Sequence, residues 1–334
     1  MKPLQTLLAN AARSDRKIVL SEGADPRAIE AAILARKENV SRIVLVGDKG
    51  AISGALAAAG ATDVNGIEVQ DSADAPFIDD MALAYHTLRK HKGISPDDAA
   101  TAVRNPYIFS AMMVRMGLAD GTIGGAVATT AEIVRTAIQV IGPAENTKLI
   151  SSYFLMLFCK DHHEKKGAHI FADAGLVIDP TAEEMAGIAI ASAASFIQLT
   201  AGIPRVAMLS FSTRGSATHD KVSKVMQATE LVRKNAPDVI VDGELQFDAA
   251  FVPEVAKSKA SDSSLGGDAN VFVFPNLESG NIAYKIAQRI GGAVAIGPIL
   301  QGLAKPANDL SRGCSAEDIL HMIAVTSAQC EKIG

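Results

Sequence analysis

Tryptophan is absent from this sequence of 334 residues, and aromatic residues make up only 4% of it. A hydrophobic core must therefore be built mainly from Ala, Val, Ile, Leu and Met, in a chain that is 48% apolar. The length exceeds what a single core usually supports, so two domains are expected.

Cysteine is scarce and odd in number, with only Cys159, Cys314 and Cys330. This usage argues against a secreted disulfide framework and favours a reducing, cytoplasmic environment. Cys159 ends an apolar run and Cys330 falls in the last predicted helix, so both are interpreted as packing residues.

Two further absences exclude classes of partner. The net charge is −5 and no dense Lys/Arg tract occurs, so the general attraction to nucleic acid is missing. No run approaches the ~18 apolar residues of a membrane span, and the N-terminus lacks the apolar stretch of a signal peptide. We expect a cytoplasmic protein that binds neither nucleic acid nor membranes.

Several common motifs are also missing. The sequence has no G-x-G-x-x-G after its first predicted strand, no G-x-x-x-x-G-K-[ST] and no G-x-S-x-G. His162, His163 and Glu164 do not have the H-E-x-x-H spacing, and they are interpreted as part of a solvated loop.

Strand-like and helical patterns alternate along the chain. The apolar runs 17–21 and 42–46 are followed by helical patterns at 26–38 and 50–59. This alternation predicts an α/β fold with a parallel sheet covered by helices. The order of strand-like and helical segments changes after Gly142-Pro143 and again after residue 296, so we place domain edges near 145 and 295. The pattern leaves open whether the last forty residues return to the first domain.

The segment 124–135, GGAVATTAEIVR, joins a predicted strand to a helix. Its glycines allow close approach of a ligand, and Thr129-x-x-Glu132 predicts a capping box. The free N–H groups of the helix start and Arg135 would suit an anion. A capped helix with a surface arginine explains the same residues equally well.

Two other basic segments have structural explanations. Arg89 lies in LRKHKG (88–93), where cations complement the dipole of a helix C-terminus. Arg214 lies in SFSTRGSA (210–217), which fits either an anion-binding turn or an ordinary cap.

The stretch 308–318, NDLSRGCSAED, is unusually polar for this chain. Ser315-x-x-Asp318 predicts a capping box for the final helix, so the Asp318 carboxylate has a purely structural explanation. Ser311 and Arg312 add a hydroxyl and a guanidinium, the groups that a phosphate-bearing substrate needs. The segment before this stretch is predicted to be a loop because it contains Gly297-Pro298 and Gly302.

Several longer segments of the chain are distinctive. The most specific are FPNLESGNIAYKIAQRIGG and, after it, AIGPILQGLAKPANDLSRGCSAEDI; the others, in chain order, are SEGADPRAIEAA, ADGTIGGAVATTAEIVRTAIQVIG, FSTRGSA and VDGELQFDAAFVPEVA. In these segments, and over essentially its whole length, the sequence resembles the phosphate acetyltransferase (phosphotransacetylase) family.

The resemblance implies two α/β/α domains with mostly parallel sheets flanking a cleft, similar to isocitrate and isopropylmalate dehydrogenases. The first domain would comprise 1–145 plus 295–334 and the second 146–294, with a homodimer formed through the second. The implied reaction interconverts acetyl phosphate and coenzyme A with acetyl-CoA and phosphate. Coenzyme A is a substrate, and no catalytic divalent metal is expected.

The resemblance also implies roles for individual residues. Asp318 would be the general base for the CoA thiol, with Ser311 and Arg312 acting at the acyl phosphate. The implied substrate-binding residues are Arg135, Arg89 and Thr130. The thiol of CoA would attack directly in a ternary complex, so Cys314 is expected to be a small residue near the site and not a covalent carrier.

Three alternatives remain at this point. One is an acyltransferase for a longer group such as butyryl, and another is a silent regulatory homologue that binds acetyl-CoA. The third, an NAD- and metal-dependent hydroxy-acid dehydrogenase, lacks a matching motif for its metal carboxylates.

Overall fold

The computed structural model describes residues 2–61, 65–145 and 147–331. Their contacts group into two compact units, one formed by the described residues of 4–146 and 303–334 and the other by 147–302 together with residues 2 and 3. Both units are α/β assemblies with mostly parallel sheets, which confirms the predicted fold class.

The strands are β1 (Lys17–Leu20), β2 (Arg42–Val46), β3 (Ile67–Gln70), β4 (Gly121–Gly124), β5 (Ser151–Phe158), β6 (Gly167–Ala172), β7 (Arg205–Leu209), β8 (Ile240–Leu245), β9 (Val271–Val273), β10 (Val294–Gln301) and β11 (Ala307–Asp309).

The α-helices are α1 (Lys2–Ala11), α2 (Pro26–Lys37), α3 (Lys49–Ala58), α4 (Ile78–Arg89), α5 (Pro96–Ala102), α6 (Pro106–Arg115), α7 (Thr130–Thr136), α8 (Ala182–Thr200), α9 (Asp220–Asn235), α10 (Phe247–Phe251), α11 (Pro253–Lys259), α12 (Leu277–Arg289) and α13 (Ala316–Gln329). A 3₁₀ turn, Lys90–Lys92, follows α4, and a π-helical turn, Ala137–Ile141, follows α7.

The sheet of the first unit has the strand order β11-β4-β1-β2-β3, and every pairing in it is parallel. Its central strands are short apolar runs that are buried on both faces, as in β1, where Ile18, Val19 and Leu20 are all buried. Because the strands are parallel, the carboxyl ends of β1, β4 and β11 lie side by side at one edge of the sheet.

The sheet of the second unit has the order β10-β5-β6-β9-β7-β8. Its first two pairings, β10 with β5 and β5 with β6, are antiparallel, and the others are parallel. The buried faces pack phenylalanines against small residues, with Phe171 and Phe272 in edge-to-face contact.

The prediction of a loop before residue 308 is wrong. Residues 294–301 form β10, and the strand register shifts between Ile296 and Ile299, where Gly297-Pro298 lies. Proline is tolerated there because β10 is an edge strand with an irregularity at that point. The whole of β10 groups with the second unit, which extends to residue 302.

Several helices begin at residues whose side chains cap the first turn. Reciprocal capping boxes form at Ser95, Thr181 and Ser315. The box predicted at Thr129 forms only by half, because the Thr129 hydroxyl accepts from the Glu132 N–H while no bond returns from the Glu132 carboxylate. Across the described residues, the helices are all too short or too polar to cross a lipid bilayer.

Candidate active site

The candidate site lies at the edge where β1, β4 and β11 of the first unit end. In open parallel sheets, ligands bind outside the carboxyl ends of the strands, where the strand order reverses. Here the chain runs from β1 outward to β3 and returns to β4 on the other side of β1, so the reversal lies between β1 and β4. The segments that follow β4 and β11 carry Thr130, Ser311, Arg312 and Asp318.

Asp318 occupies the first turn of α13, and its two carboxylate oxygens differ. Oδ2 accepts hydrogen bonds from the backbone N–H and the hydroxyl of Ser315, both at 2.9 Å. Oδ1 receives no hydrogen bond from any residue that the structure describes. The carboxylate is exposed. The cap therefore uses only one of the two carboxylate oxygens of Asp318.

Ser311 and Arg312 form an exposed turn immediately before that helix. The Ser311 carbonyl accepts from the Cys314 N–H at 2.9 Å, and its hydroxyl oxygen accepts from the Gly313 N–H at 3.3 Å. Within the described parts of the chain, the Arg312 guanidinium makes no ion pair or hydrogen bond. An exposed hydroxyl and an unpaired cation thus lie in the turn that precedes the helix of Asp318.

Cys314 is buried, with 8% of its surface exposed. Burial raises the pKa of its thiol, although the Arg27 guanidinium opposes that shift. A thiol with a raised pKa is a weaker nucleophile at neutral pH because less of it is ionised. Burial and the raised pKa therefore make Cys314 a weak candidate for a nucleophile.

Arg27, at the start of α2, was missed by the sequence analysis and binds all three segments of this edge. Its Nη1 donates to the carbonyl oxygens of Arg312 at 2.8 Å and Cys314 at 3.2 Å. Its Nη2 donates to the carbonyl of Ala126 at 2.8 Å, and the guanidinium also pairs with Asp25. The hydrogen bond from Arg27 holds the pKa of Asp25 below its usual range. Arg27 therefore fixes the turn that carries Ser311 and Arg312.

Glu22, after β1, is a second residue that the sequence analysis missed. Its carboxylate accepts from three consecutive backbone N–H groups, those of Ala126, Val127 and Ala128, at 2.7 to 3.0 Å. These three N–H groups, which precede the helix start at Thr129, are therefore not free to bind an anion. An internal carboxylate already occupies them, because the fold brings the end of β1 next to the loop after β4.

Thr130, the first residue of α7, is exposed, but its side chain is hydrogen-bonded to a buried residue. Its hydroxyl donates to Oδ2 of Asp309 at 2.6 Å, and Asp309 is completely buried at the end of β11. The backbone at Gly125 has φ +101°, and a Cβ there would overlap Oδ1 of the same carboxylate. Glycine is required at this position so that β4 and β11 can approach each other.

The two remaining predicted binding residues are Arg135, on the same helix as Thr130, and Arg89, at the end of α4. Arg135 is exposed near the end of α7 and makes no ion pair or hydrogen bond with any described residue. Arg89 ends α4, and its buried Nε has no hydrogen-bond partner among the described residues. No hydrogen bond within the described chain links Arg89 to the segments after β4 and β11.

The second unit does not supply a competing site with matching chemistry. The SFSTRGSA turn has its cations and donors satisfied, because Arg214 pairs with Asp242 while Glu244 accepts from Ser212 and Gly215. A depression of about 850 Å³ is lined by aromatic, histidine and lysine side chains and contains none of the predicted site residues. No group of three or more His, Cys, Asp or Glu able to hold a metal occurs within the described residues.

An exposed carboxylate, hydroxyl and guanidinium at the ends of parallel strands suit the transfer of a group from an anionic substrate. The fold and the candidate site thus define an α/β enzyme of the transferase class. Residues 3–327 match the phosphate acetyl/butaryl transferase family, and the chain belongs to that family. It is an acyltransferase of the phosphate acetyltransferase type.

Known proteins support this placement. The chain is 47% identical to a phosphate acetyltransferase of Paracoccus denitrificans, over 98% of this chain and 99% of that protein. It is similar to the EutD phosphotransacetylase structure from Staphylococcus aureus, with a TM-score of 0.90, 39% identity and coverage of 99% and 98% of the two chains. A 4-hydroxythreonine-4-phosphate dehydrogenase from Burkholderia phymatum shares the fold alone, with a TM-score of 0.56, 13% identity and coverage of 94% and 98%.

Proposed function

We propose that this chain interconverts acetyl phosphate and coenzyme A with acetyl-CoA and phosphate by direct attack of the CoA thiolate in a ternary complex. The observation that carries this proposal is the exposed Asp318 residue, whose carboxylate has one oxygen in the helix cap and the other without a hydrogen-bond partner among the described residues. A free thiol has a pKa near ~8.5 and is mostly protonated at neutral pH, so a nearby base accelerates attack.

The proposed reaction balances without a covalent enzyme intermediate. The thiol proton moves to Oδ1 of Asp318, and the sulfur bonds to the acetyl carbonyl carbon. The bond from that carbon to the bridging oxygen then breaks, and phosphate leaves with the electron pair. Negative charge develops on the carbonyl oxygen and the departing phosphate, where Arg312, Ser311 and Arg135 would stabilise it.

Thr130 and Arg89 complete the proposed binding residues. Thr130 lies at the start of α7, next to the loop after β4, and would contact the phosphoryl group. Arg89 has an unpartnered Nε among the described residues and would contact CoA or phosphate. No catalytic divalent metal is part of the proposal.

Formation of thioester from acetyl phosphate and CoA, followed at the thioester absorbance, tests the function. We expect acetyl-CoA formation that depends on CoA and persists in the presence of a metal chelator. A protein that bound acetyl-CoA but formed none would be a regulatory homologue. A higher kcat/KM for butyryl phosphate than for acetyl phosphate would instead assign a longer-chain acyltransferase.

We also propose a homodimer formed through the unit of residues 147–302. The support is an apolar row on α12 and its C-terminal end, where Ile282, Ile286 and Ile290 are 58%, 52% and 83% exposed. A spacing of four residues places them on one face of the helix. Light scattering should give twice the monomer mass, and Ile286→Lys should shift it toward the monomer; a monomeric parent protein would contradict the proposal.

Replacing Arg27 by methionine is expected to lower both stability and turnover. The change removes the donor of the Arg312, Cys314 and Ala126 carbonyls and the partner of Asp25. We expect an unfolding free energy lower by about 2 kcal/mol and kcat lower by about tenfold, since the catalytic turn loses its anchor. Urea unfolding and steady-state kinetics measure the two effects.

Arg36→Met is the matched control for that variant. Arg36 also bridges backbone carbonyls, those of Ser41 and Asn65, but lies away from the candidate site. It should lose stability while kcat stays near the parent value. Equal losses of kcat in both variants would show that Arg27 acts through general stability and not by holding the turn.

A further inference from the structure

Asp309 is a buried carboxyl group that the proposed reaction does not use. It ends β11, where successive side chains point to opposite faces of the sheet. The preceding Asn308 points toward α13 and binds Thr326, whereas Asp309 points toward α7 and binds Thr130. Asp309 is 0% exposed, and its Oδ1 has no hydrogen-bond partner among the described residues.

The surroundings of Asp309 favour its neutral form. Burial raises its pKa to about 6, the Thr130 hydroxyl and the Leu310 N–H oppose this, and the Glu22 carboxylate adds to it. Glu22 faces Asp309 from the segment after β1, while β4 contributes the backbone of Gly124-Gly125 and α7 contributes Thr130. Asp309 therefore gains or loses a proton within the pH range in which an enzyme can be assayed.

A threonine hydroxyl has one hydrogen to donate and two lone pairs to accept with. When Asp309 is ionised, it can only accept, so the Thr130 hydrogen points inward to Oδ2. When Asp309 is neutral, its own O–H can donate to Thr130 Oγ1, and the Thr130 hydrogen is released toward solvent. The 2.6 Å separation of the two oxygens suits either direction.

We propose that Asp309 is a positioning residue that sets the direction of the Thr130 hydrogen and thereby decides whether Thr130 can donate to the phosphoryl group of the substrate. The inference rests on the proposed function, which places that group at Thr130. Phosphoryl oxygens are acceptors, so they bind more tightly when Thr130 donates. The proton comes from solvent.

The coupling is reciprocal. A phosphoryl anion that binds better to the neutral form must raise the affinity of Asp309 for its proton by the same factor. Substrate binding and proton uptake at Asp309 therefore support each other. This distinguishes the pair from a static hydrogen bond, which would add the same affinity at every pH.

The test is the KM for acetyl phosphate from about pH 5 to 8, measured for the parent chain and for Asp309→Asn, which cannot ionise. The ratio of the two KM values cancels the titration of the substrate itself. We expect the parent KM to rise relative to that of the variant by about tenfold across this range, the size of one charge-assisted hydrogen bond. A ratio that does not change with pH would overturn the inference.

Thr130 variants show whether Asp309 acts through the hydroxyl. With Thr130→Ala, the pH-dependent rise should disappear, and Asp309→Asn added to it should have no further pH-dependent effect. Thr130→Ser should restore the rise, because it keeps the hydroxyl. If the rise persisted with Thr130→Ala, Asp309 would act directly on the substrate or the turn, and the inference would be wrong. The Thr130 series also decides the matter should Asp309→Asn fail to fold.

Calorimetric binding of inorganic phosphate separates this inference from the proposed function. If the protein forms no acetyl-CoA but binds phosphate, the inference is tested with dissociation constants for phosphate in place of KM. The ratio of these constants for the parent chain and Asp309→Asn should then rise with pH in the same way. If the protein forms acetyl-CoA but the ratio of the two KM values does not change with pH, the inference is overturned and the proposed function stands. Absence of both turnover and phosphate binding would overturn both.

Discussion

Replacing Asp318 by asparagine is expected to lower kcat for acetyl-CoA formation by at least about a hundredfold. The amide has nearly the same shape, and its oxygen can still accept from the N–H and hydroxyl of Ser315. The cap of α13 is therefore kept, while the group that would take the thiol proton is lost. Steady-state kinetics at saturating CoA measure the change in kcat, and thermal unfolding shows whether the cap survives.

Two neighbouring variants serve as controls for Asp318. Cys314→Ala should keep substantial activity, since the buried thiol carries no step of the proposed reaction. Ser315→Ala removes the cap partner and should cost about 1 kcal/mol of stability with a small effect on kcat. If Cys314→Ala lost activity while Asp318→Asn kept it, Asp318 would not be the general base. The result would instead point to a covalent acetyl-cysteine.

Replacing Arg312 by glutamine is expected to lower kcat by about 10²–10³, with little change in stability. Its guanidinium is exposed and has no protein partner within the described residues, so the fold does not depend on it. The variant would lose stabilisation of the negative charge that develops on the carbonyl oxygen and the phosphate in the transition state. Progress curves at saturating acetyl phosphate give kcat directly.

Matched substitutions define what Arg312 contributes. Arg312→Lys should recover only part of the loss, because an ammonium group cannot offer the forked pair of donors. Lys37→Gln removes another exposed cation of the same unit, at the end of α2 opposite Arg27, and should leave kcat unchanged. A similar loss with Lys37→Gln would mean that net charge, and not the position of Arg312, limits turnover.

Much of the fold could be predicted because it depends on local patterns. The capping box at Ser315 is encoded within four residues and forms as predicted. The apolar runs of β1 and β2 are long enough to be strands and are followed by helical periodicity. The helix α6 was not predicted, although Asn105 caps it and Pro106 begins it, which is an ordinary helix-start pattern.

The candidate site could be predicted only in part. Ser311, Arg312 and Asp318 are close in sequence, and a resemblance between sequences is enough to single them out. Arg27 and Glu22 could not be found in this way, since Arg27 contacts a residue 285 positions away and Glu22 contacts one 104 positions away. Their roles are carried by hydrogen bonds that exist only once strands distant in sequence lie side by side.

The sequence by itself determined the α/β alternation, the family and the short polar stretch that begins α13, because each depends on residue type and near-neighbour spacing. Only the tertiary structure decided which donors are free and which are occupied. Parallel pairing of β1, β4 and β11 places Glu22 on the loop after β4, Arg27 on the turn of Ser311, and buried Asp309 under Thr130. Burial and long-range hydrogen bonding are properties of that packing, and no local pattern specifies them.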